Sequence, residues 1–190
     1  MRQLTAIPNI LSFFRILLIP EFVWLSLSGE RQAALFVLIL SGLSDLLDGA
    51  AARGLGTITP LGRVLDPVAD KLTQLAVLIC LSARYPGVFW LLVILIVKET
   101  GAFLCGSILL AAGGKPFSSM WFGKLSTFSL YVFFGLLLAF ELPESITLPL
   151  GTAVALIMIF ASVLYTNEFV RRIWVRRLPA KRMSDTEDDR

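Results

Sequence analysis

The 190-residue chain contains no histidine. That absence excludes a histidine general base, a Ser-His triad and an imidazole-ligated metal. Cysteine is almost absent too. Cys80 and Cys105 both stand inside apolar runs with no pairing pattern, so they read as small buried hydrophobes and not as a disulfide framework. Charge is scarce: 16% of residues are charged and 56% are hydrophobic, with a mean hydropathy of +0.80. A soluble domain has roughly 25% charged and 45–50% apolar residues. The apolar excess lies in long runs, which excludes a soluble globular domain and indicates an integral membrane protein. The first run is long, carries Arg15 and lacks a small-residue cleavage site. It reads as a first span and not as a cleavable signal.

The predicted fold is all-α: a six-transmembrane-helix bundle with a short N-terminal interfacial segment. Spans of roughly 20 residues, the length that crosses a ~30 Å hydrocarbon core, fit near 9–28, 33–53, 60–83, 87–112, 118–140 and 146–171. Residues 1–175 form the membrane domain. Residues 176–190 form a basic and then acidic cytoplasmic tail, expected to be disordered. An even number of spans puts both termini on one side. With the N-terminus inside, the inner segments hold Arg2, Arg53, Arg63, Lys115 and the basic tail, whereas the outer loops hold only Arg31 and Arg84 as cations. The Lys/Arg bias therefore predicts both termini in the cytoplasm, in a multi-pass protein of the cell membrane. The run RRIWVRR reads either as a stop-transfer anchor touching anionic lipid or as a source of site cations, Arg171 or Arg172.

One stretch breaks the apolar pattern. Residues 44–71, SDLLDGAAARGLGTITPLGRVLDPVADK, carry Asp45, Asp48, Asp66 and Asp70. Carboxylates are costly at membrane depth and are functional there by default. Asp45 and Asp48 are three apart on the second span, and Asp66 and Asp70 are four apart on the third. Either spacing puts both side chains on one helix face. On antiparallel neighbours the two pairs converge at the cytoplasmic end, and the repulsion among them calls for cations. All-oxygen ligands without His or Cys favour Mg²⁺, with Mn²⁺ the alternative, over zinc. Four carboxylates suit two such ions ~3.5–4 Å apart, a geometry that clamps an in-line displacement at phosphorus. Gly49 and Gly62 remove side chains where a ligand approaches, and Arg53 can offer a phosphate its planar fork. Thr59-Pro60 fits a helix start, and Pro67 is expected to kink the third span or loosen its backbone pairing.

The pattern Asp45-x-x-Asp48-Gly49-x-x-Ala52-Arg53, eight further residues, then Gly62-x-x-x-Asp66-x-x-x-Asp70 resembles the signature of the CDP-alcohol phosphatidyltransferase family. The resemblance implies an enzyme that takes CDP-diacylglycerol, displaces CMP and passes the phosphatidyl group to an alcohol. It implies that Asp45, Asp48, Asp66 and Asp70 bind the metals and that Asp70 is the catalytic base. It places Gly49, Arg53, Thr59 and Gly62 against the nucleotide and its phosphates, with Asp45 beside them. Asn9 and Ser12 fall where the family closes over the cytidine. Helix capping is an alternative role for Asn9, Ser12 and Thr59, and helix packing for Gly62.

For the acceptor, IPNILSFFRILLIP, LGRVLDPVADK and GKLST resemble bacterial phosphatidylglycerophosphate synthases, which use glycerol 3-phosphate. Lys124, Lys98, Arg63 and Arg171 are the candidate cations for its phosphate. Glu99 stands beside Lys98 and equally well neutralises it. Arg15 either snorkels to headgroups or touches ligand. Lys98-Glu99 replaces an Arg-Glu pair common in such synthases, and Ser126 stands where a second Lys is common. These departures open the alternative of a cardiolipin synthase that uses phosphatidylglycerol. A divalent-cation transporter is the remote alternative, disfavoured because the aspartates cluster at one end and are not spread through the membrane depth. The partners implied are the bilayer, the two substrates and a second copy of the chain, with no nucleic acid. Gly101, Gly106 and Gly135 permit the close helix packing of a homodimer.

Overall fold

A computed structural model describes residues 7–55, 62–111, 113 and 120–187, with side chains described for 10–45, 47, 62, 65–111, 113 and 120–173. Six α-helices follow one another: α1 (Ile7–Leu27), α2 (Arg31–Leu55), α3 (Gly62–Arg84), α4 (Phe89–Ala111), α5 (Trp121–Ala139) and α6 (Glu144–Glu187). The first five coincide closely with predicted spans, whereas α6 begins near the predicted start at 146 and runs well past the predicted end at 171. There is no strand among the described residues. The predicted interfacial segment before Ile7 and the predicted helix start at Thr59-Pro60 lie outside the described residues. Beyond Ile173 the α6 backbone continues as helix to Glu187, into the segment the sequence marks as a polar tail.

Among the described residues four stretches are long and apolar enough to cross a membrane: Ile10–Leu27, Pro86–Ala111, Trp121–Ala139 and Glu144–Ile173. α2 and α3, of 25 and 23 residues, match them in length. At 1.5 Å per residue each reaches about 35 Å. Their hydropathy is lowered by the charges of the aspartate stretch.

The turns show why the helices end where they do. α1 stops at Gly29, whose φ of +84° a side chain would resist. Glu30 N donates to Leu25 O at 3.0 Å and Gly29 N to Ser26 O at 3.3 Å, the paired bonds of a Schellman cap. After α3, Tyr85 is extended, as a residue before proline prefers, and Pro86 opens a single 3₁₀ turn leading into α4. α3 runs through Pro67 without a break.

Contacts divide the chain into two units, Met1–Leu92 with Val132–Leu148, and Val93–Tyr131 with Pro149–Arg190. In the first, α1 packs on both α2 and α3. Lipid offers little hydrophobic drive for helix association, so small residues and polar contacts carry it. Ala34 and Ala69 are fully buried there, together with Val77, Leu78, Phe134 and Leu137. At the ends of α2 and α3 away from the aspartates, Glu141 accepts from Arg31 at 2.8 Å and from Arg84 at 3.3 Å. That tie lies about 21 Å along each helix from Asp45 and Asp70. In the second unit Leu95, Leu109, Leu130 and Met158 form the buried apolar set.

Candidate active site

The site grows from three helices of the first unit. On α3, Asp66, Asp70 and Gln74 follow at four-residue steps and share a face. On α2, Asp45 lies ten residues before the helix end. α1 brings Ser12 and Arg15, also one turn apart, against both. Ser44 Oγ donates to Leu11 O at 3.4 Å and ties α2 to α1 beside Asp45.

Arg15 is the centre of this arrangement. Its side chain is only 3% exposed, with Nη1 2.5 Å from Asp45 Oδ1 and Nη2 3.5 Å from Asp66 Oδ1. A buried guanidinium thus bridges carboxylates from two different helices. Ser12, fully buried, donates its hydroxyl to the same Asp66 oxygen. Asp45 and Asp66 remain 54% and 39% exposed, so Arg15 approaches from the protein side while their outer faces meet solvent. Asp70 is 27% exposed, with Lys71 Nζ 3.6 Å away. Gln74, with no exposed surface, donates Nε2 to Asp70 Oδ2 at 2.8 Å. A carboxylate only accepts, so the amide nitrogen must face it.

The structure therefore brings Asp45, Asp66 and Ser12 together around Arg15, and Asp70 follows one turn along α3 from Asp66. The side chains of Asn9, Asp48, Arg53 and Arg63 and all of Thr59 lie outside what is described, and Gly49 is described in backbone only, as part of α2. Gly62 is buried at the start of α3. Among the described residues no three acidic or thiol ligands gather into one metal-holding group. The donor set is nevertheless suited to a hard cation. Asp45 and Asp66 already aim oxygens at one shared positive charge, and both keep open faces. Sequence reasoning missed the bridging role of Arg15 and missed Gln74 altogether. The signal for Gln74 was its place one turn beyond Asp70 on the acidic face of α3.

The predicted acceptor cations lie in the second unit, apart from Arg63. Lys98 is buried, its side chain 8% exposed, with Nζ 2.9 Å from Glu99 Oε1 and donating to Ser126 Oγ at 3.3 Å. Lys124 is exposed in the first turn of α5. Arg171 is exposed and lines an open cleft of about 560 Å³ with Trp121, Phe122, Leu164, Asn167 and Glu168. Arg172 is held by Glu168 at 2.7 Å.

Comparison with known proteins identifies the family. The family model described as CDP-alcohol phosphatidyltransferase matches residues 5–173. The cardiolipin synthase (CMP-forming) of Streptomyces coelicolor is 41% identical over 142 residues, 72% of this chain and 66% of that protein. The chain thus spans just under two thirds of that relative's length. The CDP-diacylglycerol–glycerol-3-phosphate 3-phosphatidyltransferase of Bacillus subtilis is 28% identical over 187 residues, 88% of this chain and 95% of that protein. A protein of the same name from Pseudomonas fluorescens is 42% identical over 88 residues, 45% of each chain. The family match runs through α1 and through both helices that carry the aspartates, and the chain belongs to the CDP-alcohol phosphatidyltransferase family.

Proposed function

We propose that this protein transfers the phosphatidyl group of CDP-diacylglycerol to the free hydroxyl of phosphatidylglycerol, releasing CMP and forming cardiolipin. The observation that supports the transferase reading is the meeting of Asp45 on α2 and Asp66 on α3 at Arg15, with Asp70 one turn further along the same face of α3. The acceptor reading is supported by Lys98. The sequence offered it to a soluble phosphate, but Glu99 and Ser126 engage it inside the protein. The Streptomyces relative's name points the same way. Glycerol 3-phosphate is the second reading, favoured by the near full-length match to the Bacillus enzyme and by exposed Lys124.

Asp45, Asp48, Asp66 and Asp70 would hold two divalent cations, Mg²⁺ or Mn²⁺. When bound, these would neutralise the diphosphate and polarise the attacking and leaving oxygens. Asp70 takes the proton of the acceptor hydroxyl as that oxygen bonds to the phosphatidyl phosphorus and the bond to CMP breaks. Gln74 fixes Asp70 by donating to its Oδ2. Arg53, Gly49, Gly62, Thr59 and Asn9 receive the nucleotide and its phosphates, while Ser12 orients Asp66. Positioning and charge neutralisation provide most of the catalysis. α2 and α3 complete a six-span bundle with the aspartates and both termini at the cytoplasmic face. The lipid chains of both substrates stay in the bilayer, and a homodimer is compatible with the small residues of α4 and α5.

An acceptor screen tests this. Purified protein with labelled CDP-diacylglycerol and Mg²⁺ is offered phosphatidylglycerol, glycerol 3-phosphate, inositol phosphate and serine separately. Cardiolipin from the phosphatidylglycerol reaction alone is expected. Phosphatidylglycerophosphate as the main product would replace the acceptor reading with the second one.

A further inference from the structure

Arg15 lies in the middle of a carboxylate set read above as a divalent-cation site, and no role there follows from the aspartate signature. Its guanidinium bridges Asp45 and Asp66 from the protein side. Arg15 also lines a small cavity of about 10 Å³, room for one water. The lining places this cavity on the deep side of the site. Leu18, Ile19 and Phe22 follow Arg15 on α1, Ser41 precedes Asp45 on α2, and Thr73 and Ala76 follow Asp70 on α3. Ser41 and Thr73 are its hydroxyl groups, and both are buried. Thr73 Oγ1 donates its own proton to Ala69 O at 2.9 Å, which leaves its oxygen lone pairs to accept. Arg15 thus pairs with the carboxylates and also lines a mostly apolar cavity that it shares with the hydroxyl residues Ser41 and Thr73.

We infer that Arg15 is an exchangeable internal counter-ion. In the metal-free protein it holds Asp45 and Asp66 together. When divalent cations occupy the carboxylates, the guanidinium turns inward to Ser41 and Thr73, directly or through a water in the cavity. The reason is electrostatic. A guanidinium and a divalent ion sharing the same carboxylate oxygens stand within ~5 Å, and at that distance even bulk-water screening leaves a repulsion equivalent to about tenfold in affinity. A buried arginine cannot shed its proton, so it must move or the metal must bind weakly. Arg15 acts through the carboxylates and is a positioning residue.

This inference rests on the divalent-cation reading, and the test separates the two. Mg²⁺ binding to the full chain in detergent is measured by calorimetric titration, and melting is recorded with and without Mg²⁺. Arg15→Gln is expected to lower the metal-free melting temperature and to tighten Mg²⁺ binding by about tenfold. Arg15→Lys keeps the charge and is expected to bind Mg²⁺ as wild type does. The double variant Ser41→Ala/Thr73→Val is expected to melt slightly below wild type without metal, because Thr73 loses its bond to Ala69 O, and to bind Mg²⁺ several-fold more weakly, because the guanidinium has lost its inward partners. Weaker Mg²⁺ binding by Arg15→Gln, or unchanged binding by the double variant, would overturn the inference and leave the metal reading intact. If Arg15→Gln does not fold, the double variant decides alone. A wild-type protein that binds no Mg²⁺ would overturn both.

Discussion

Replacing Gln74 by leucine separates stability from activity, because two opposed contributions meet at this residue. Gln74 is fully buried and donates to Asp70 at 2.8 Å. A hydrogen bond to a charged acceptor contributes about 1.5–3 kcal/mol. The other end of the same amide works against it. Oε1 is buried with no hydrogen-bond partner among the described residues, and such an orphan costs about 1–3 kcal/mol. Leucine loses the first contribution, removes the second and fills similar volume. Asp70 keeps Lys71 nearby and 27% exposure to water, which softens its loss. The net change in stability is therefore about zero, within ~1 kcal/mol, or a few degrees of melting temperature. Activity behaves differently. Asp70 is the proposed base, and losing the bond that orients it gives up part of those 1.5–3 kcal/mol in the transition state. Turnover should fall about 10- to 100-fold. CMP release from labelled CDP-diacylglycerol, paired with thermal melting, reads both quantities. Wild-type turnover in Gln74→Leu would refute the positioning of Asp70 by Gln74. A large drop in melting temperature would refute the cancellation.

Two further outcomes follow from the same geometry. Asp70→Asn should abolish transfer while the folded protein still binds CDP-diacylglycerol, because asparagine keeps the shape and loses the base; a binding assay beside the CMP assay checks it, and near wild-type turnover would contradict it. Gly123→Ala should destabilise the second unit by about 1 kcal/mol. Its Cβ would meet Tyr165 Oη at 2.7 Å and disturb an edge-to-face pair with Phe122 at 4.9 Å, an overpacking cost of ~1–3 kcal/mol offset by up to ~1 kcal/mol of helix propensity. Tyr165→Phe removes the nearest atom, so a double-mutant melting cycle should show coupling, and strict additivity would contradict the clash.

The placing of Asp45 on α2 and of Asp66 and Asp70 on one face of α3 was legible in the sequence because its information is local. Spacings of three and four on two helices define faces, and the lack of His and Cys restricts the metal class before any coordinates are known. The six helices were legible for a similar reason, since apolar runs and the turn residues Gly29, Pro86 and Pro143 bound them. What was not legible depended on partners distant in the chain. Arg15 could be read as snorkelling or as ligand-facing, because nothing near residue 15 says that Asp45 and Asp66 close over it. Ser12 was assigned to the nucleotide by resemblance, whereas its hydroxyl reaches Asp66. Lys98 was ambiguous for the same reason. Its partner Ser126 is on another helix, so only the folded second unit reveals that the cation is already engaged.

The central claim is that a phosphatidyl group moves from a cytidine carrier to a lipid alcohol. Counting CMP released against cardiolipin formed, in one reaction with labelled CDP-diacylglycerol, phosphatidylglycerol and Mg²⁺, tests it most directly. The account predicts one CMP per cardiolipin and neither product when Mg²⁺ is chelated. CMP released without any cardiolipin, or cardiolipin formed without CMP, would contradict it.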